Sequence, residues 1–157
     1  MVVVESRMRD LIRSKLEEAQ QGEDEIRLSM LRLVNIAIAD KDQVIRESRK
    51  ADRISDDAIR RILRQMIQQR QKSSVSFEEH GQIDLANQER REIRILEELL
   101  PTMLDDEQVR IAIEHAIHRT RARGIRDKGR VMQALKSRYP GRMDFRVVDD
   151  LVIERLS

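Results

Sequence analysis

Between Arg119 and Arg146 the chain places ten basic residues against two acids, Asp127 and Asp144. A surplus of that kind, crowded into turns and helix starts, suits a phosphodiester backbone, whose charge is met by guanidinium and ammonium groups. The residues singled out for such contacts are Arg123, Arg126, Lys128, Gly129, Arg130, Arg138, Gly141 and Arg142. Gly129 and Gly141 would let another backbone come close; for Gly129 the alternative is tight packing of one helix on another. A helix starting near Lys128 would add free backbone donors and the positive end of a dipole. The plainer alternative for the whole cluster is a solubilising face. Arg outnumbers Lys 25 to 6 in the chain, which reflects either codon bias or the fork geometry that makes Arg the better partner for phosphate. Only Tyr139 and Phe145 interleave with these cations. Reading of single-stranded bases normally uses aromatic platforms, so phosphates and shape, as in a folded RNA, fit better than base edges.

Other chemistry has less to stand on. His115 and His118 are three apart on one helix, but a catalytic zinc needs a third protein ligand and none is evident nearby. The acid pairs in "FEEH", "LEEL" and "LDDE" lie on or beside helices and read as solvated faces or helix starts rather than general acids and bases. No GxxxxGK loop is present for a nucleotide, and the serines are scattered without a glycine-rich nucleophile turn. With no Cys there is neither a thiol nucleophile nor a thiolate metal site. The expectation is no catalytic residue, no metal and no cofactor.

The elements that position these residues are helical throughout. Apolar residues recur at helical spacing from about Arg7 to Gln21, with Gly22 as a glycine cap, and again from an Asp24 cap to about Lys50, with Met30, Leu33, Val34 and Ile38 inward. Ser55 caps a third helix ending near Gly81, and a fourth covers about Ile83 to Leu100, with Leu85, Ile93, Leu96 and Leu100 as its stripe and Pro101 as a stop. Asp105 and Gln108 have capping-box spacing and open a fifth helix running to about Arg123, where Gly124 ends it. A sixth spans about Lys128 to Arg138, "YPG" is a turn, and Asp144 caps a seventh. No strand signal appears. The fold class expected is all-α: an antiparallel four-helix bundle over residues 1–101, then a small three-helix tail domain over residues 105–157.

Composition agrees with that class. Charged residues make up 38% of 157 and aromatics 2%, with no Trp, so the core must be aliphatic. The opening "MVVVESRMRD" has too short an apolar run for a signal-peptide core, and no run approaches the roughly 20 residues that span a bilayer. A cytoplasmic protein with no membrane partner is expected.

Five segments are familiar together: "IRLSMLR" (Ile26 to Arg32), "QRQKSSVSFEEHGQIDLA" (Gln69 to Ala86), "ILEELLPTML" (Ile95 to Leu104), "DKGRVMQAL" (Asp127 to Leu135) and "GRMD" (Gly141 to Asp144). In combination they resemble the YqeY family, which shares its domains with the tail half of GatB, the B subunit of the glutamine-dependent tRNA amidotransferase. Gly129, Val131, Met132, Gly141 and Arg142 match the tail pattern, and Arg130 keeps the charge after Gly129. Lys128 stands where the family usually has an apolar residue, and Gln133 and Phe145 replace small ones. The resemblance implies a helical bundle with a tail that contacts transfer RNA, while ammonia release and ester activation live in parts this chain does not contain. It thus implies a non-catalytic tRNA-binding accessory module. The alternatives are an adaptor for an aminoacyl-tRNA synthetase or amidotransferase subunit, and participation in carbon–nitrogen ligase activity with glutamine as amide donor.

Overall fold

The computed structural model describes residues 6–157; the opening stretch read for a signal peptide falls largely on residues 1–5, outside the described residues. Among the described residues there are seven α-helices and no strand. They are α1 (Arg7–Gln21), α2 (Glu25–Glu47), α3 (Asp56–Glu79), α4 (Ile83–Glu97), α5 (Asp106–Thr120), α6 (Lys128–Arg138) and α7 (Phe145–Leu156), with a 3-10 turn at Ile125–Asp127.

Five of the helices start on a side chain that accepts from the first-turn backbone. Ser6, Asp24, Ser55 and Asp144 accept from the amides of Arg9, Arg27, Ala58 and Arg146. Asp105 and Gln108 form a reciprocal capping box, at 2.7 and 3.0 Å. Each such cap contributes about 1 kcal/mol by satisfying an amide the helix leaves open. Helix ends are less uniform. After α3, Gly81 is left-handed (φ 72°); its amide donates to Glu78 and the Gln82 amide donates to Phe77, the paired bonds of a Schellman ending. The same pair closes α5 around Arg121 (φ 55°), whose amide donates to His118 while that of Ala122 donates to Ile117. The fifth helix therefore stops short of Arg123 and Gly124. Arg49 (φ 57°) likewise follows α2, which ends before Lys50, and Gly22 is extended rather than left-handed.

The chain divides into two units, one ending at Leu100 and one running Pro101–Ser157. In the first, α1 to α4 share one core of aliphatic and methionine side chains, among them Ile12, Leu31, Val34, Ile59, Leu63, Leu96 and Leu99. α3 and α4 lie antiparallel along each other, stitched by Arg70 to Glu92 at 3.1 Å and Arg90 to Glu78 at 2.5 Å. Asp42 of α2 is buried and takes both Nη atoms of Arg9 (3.0 and 2.9 Å) and the Ile54 amide (2.8 Å). It thereby ties α1 and the α2–α3 connection to one carboxylate.

The second unit has its own core: Ala112, Ile113 and Ala116 from α5, Val131, Met132 and Leu135 from α6, Val148 and Val152 from α7, and Met143 from the turn before it. Ion pairs fasten α7 to both neighbours, Arg155 to Glu114 of α5 at 2.5 Å and Asp149 to Lys128 of α6 at 3.2 Å. Residues 101–104 belong to this unit; the Leu104 amide donates to the Arg142 carbonyl at 2.9 Å. Tyr139, Pro140, Gly141 and Arg142 make a turn in which the Arg142 amide donates back to the Tyr139 carbonyl and Gly141 has φ 72°. Pro second and a left-handed Gly third are what a type II turn needs. Among the described residues no helix is long and apolar enough to cross a membrane.

Candidate nucleic-acid interface

The α5–α6 connection carries the first group of sequence-selected cations. Arg123 and Arg126 are exposed, and among the described residues neither guanidinium meets a carboxylate. Both flank Asp127, whose Oδ2 accepts the Arg123 amide at 2.8 Å and whose Oδ1 accepts Arg130 Nη2 at 2.7 Å. The Arg123 amide, and after it the Arg130 guanidinium, hold the Asp127 carboxyl below its usual range. Asp127 thus folds the connection against itself and takes up part of Arg130's charge.

The same carboxylate alters the expectation of an open helix start. α6 follows directly on the 3-10 turn, and the Lys128 amide already donates to Ile125. With Asp127 at its N-terminus, the dipole end expected to face a phosphate has a protein anion beside it.

Gly129 is exposed, and a Cβ built on it meets nothing within 4 Å. The tight-packing explanation for this glycine is thereby excluded, and open approach remains. Gly141 is buried with a positive φ, so its lack of a side chain serves the turn. Arg142 is half-buried and donates Nε to the Thr102 carbonyl at 2.9 Å. It braces the strap of residues 101–104 and offers only its outer nitrogens.

The remaining cations separate by flank of α6. Lys128 is drawn to Asp149 of α7, and Lys136 lies 5.9 Å from the centre of the Phe145 ring. On the other flank, Arg138 lies 5.8 Å from the Tyr139 ring centre and, with His115 and Arg119 of α5, lines a small groove between the two helices. The eight residues expected from sequence are therefore distributed over the α5–α6 connection, the start of α6, the α5-facing groove and the Tyr139–Arg142 turn. Arg119 and His115 were absent from the selected set. Their i, i+4 spacing on α5 was the available signal, but His115 was weighed only as a metal ligand beside His118. Among the described residues no three His, Cys, Asp or Glu gather as a metal-holding group.

Four acids of the unit each hold one cation. Glu107 is engaged by Arg110, Glu114 by Arg155, Asp127 by Arg130 and Asp149 by Lys128. Among the described residues Arg119, Arg123, Arg126 and Arg138 are exposed without a carboxylate partner, as are Arg121, Lys136 and Arg146. Chemically the surface offers guanidinium forks to an oxyanion.

Against known proteins, a family model described as Yqey-like protein matches residues 9–156. A search of curated proteins finds no match.

Proposed function

We propose that this chain, which belongs to the YqeY family, is a non-catalytic accessory module that binds tRNA by its phosphates. The contacts come from its second unit, read as a three-helix tail after an antiparallel four-helix bundle, and the setting is the cytoplasm, beside an aminoacyl-tRNA synthetase or a tRNA-dependent amidotransferase. One observation carries the reading: Arg119, Arg123, Arg126 and Arg138 stand exposed on one small unit without a carboxylate partner among the described residues, where Glu114, Asp127 and Asp149 are held by other cations. Such cations release counterions from a nucleic acid on contact, which gives affinity without base readout.

Fluorescence anisotropy of labelled tRNA across a series of salt concentrations tests this. Binding should weaken steeply with salt, and Arg123→Ala with Arg126→Ala should lower the log–log salt slope by about two, one for each lost phosphate contact. Binding that ignores both salt and these substitutions removes the proposal. A chain that ignores tRNA, yet retains a synthetase or amidotransferase subunit after nuclease treatment, is instead an adaptor.

A further inference from the structure

We infer that the groove between α5 and α6 is a phosphate-anchoring subsite, in which Arg119 and Arg138 hold one phosphate group from opposite walls and His115 faces it from α5. The inference deepens the tRNA reading and rests on it for the natural ligand, but the case for phosphate comes from the groove itself.

Both helices contribute a cation to this one depression, along with His115 and Tyr139, and no carboxylate among the described residues lines it. The carboxylate next to His115 in sequence, Glu114, is taken by Arg155 of α7 through two hydrogen bonds, at 2.5 and 3.2 Å. The acid nearest the start of α6, Asp127, is taken by Arg130 and the Arg123 amide. An incoming anion therefore meets guanidinium groups that need not first be freed from a protein partner. The floor carries Ala112, Ala116 and Ala134. With Leu135 they close the space between the helices, so the phosphate lies across the mouth of the groove, between the exposed guanidinium groups of Arg119 and Arg138. Arg138 is steadied by its position near the Tyr139 ring, which reduces the side-chain freedom lost on binding. The guanidinium forks match the paired oxygens of a phosphate, and two cations facing one depression suit its larger charge.

The test follows the His115 ring signal by NMR, assigned against His115→Gln, during titration with inorganic pyrophosphate and, separately, tRNA at matched ionic strength. The double variant Arg119→Ala/Arg138→Ala is the comparison; both residues are exposed, and circular dichroism checks its fold. In the unaltered chain both probes should shift His115 and leave His80 in place. In the double variant the pyrophosphate response should vanish, and tRNA affinity should fall about tenfold with a shallower salt slope. If tRNA binds the double variant undiminished, the groove is overturned while the tRNA reading stands. If tRNA fails to bind the unaltered chain but pyrophosphate moves His115 there and not in the variant, the groove stands and the tRNA reading falls. A His115 signal unmoved by either probe overturns the groove.

Discussion

Asp42 is 8% exposed and has three donors aimed at it, two from Arg9 and one from Ile54. Burial pushes its carboxyl upward, but the Arg9 hydrogen bonds, the Ile54 amide and the charges of Arg9 and Arg46 together outweigh that and hold it below the usual range. A depressed carboxyl stabilises the fold above its unfolded value, near pH 4, and loses that contribution as the pH falls through the folded value. Asp42→Ala leaves a largely buried guanidinium without its partner and should cost about 2–4 kcal/mol at pH 7 in urea unfolding. The gap between variant and unaltered chain should narrow below about pH 4. Sequence reading did not identify Asp42, since a lone acid in the polar half of a long helix looks solvated until the helix carrying Arg9 is placed against it. The site cations show the same limit. Lys128 and Arg155 find their acids 21 and 41 residues away, so which positive charges remain free depends on packing that linear order does not display.

Helix starts were more legible than helix ends. Asp24, Ser55, Asp105 and Asp144 cap where their side chains predicted, because an N-cap is a local interaction between a short oxygen-bearing side chain and amides two or three residues on. The ends of α2 and α5 were set too late because both are followed by a left-handed arginine, Arg49 and Arg121, where glycine is the usual signal. Holding a Cβ in that conformation costs about 1–2 kcal/mol. Arg49→Gly should therefore raise stability by about 0.5–1 kcal/mol, read as a higher midpoint in thermal melting, the gain trimmed by glycine's greater freedom in the unfolded chain. Inward faces were legible where a helix has one buried stripe: Ile59, Ile62, Leu63, Met66 and Ile67 of α3 are all buried. Where a helix meets several neighbours they were only partly legible: Met30, Val34, Ile38 and Leu96 are buried as expected, but others are not. Leu33 of α2 is 41% exposed while Leu31 is 1% exposed, and on α4 Leu85 is exposed while Ala86 and Ile95 are buried. α2 packs against α1, α3 and α4, so its buried arc is rotated from the one that apolar spacing alone suggests.

Taken over the whole chain, charge is unevenly apportioned. Before Asp105, nineteen basic residues meet twenty acidic ones; from Asp105 onward, twelve meet nine. Exposed arginines such as Arg32 and Arg61 exist in the first unit too, but there the surrounding balance is slightly negative, which opposes a polyanion. Replacing Arg32 and Arg61 together with Ala should change tRNA affinity less than twofold at a salt concentration where the Arg123/Arg126 pair is decisive; an equal loss from both pairs would move the binding surface off the second unit. The all-helical class was open to sequence reading because a chain with two Pro, five Gly and 38% charged residues has few ways to bury its Leu, Ile and Met other than amphipathic helices. Tyr139, beside Arg138 at the α5–α6 groove, is the single tyrosine of a chain without tryptophan. Its ring therefore accounts for nearly all the ultraviolet emission of the molecule, and an unlabelled sample carries a built-in optical gauge of whether that groove is occupied.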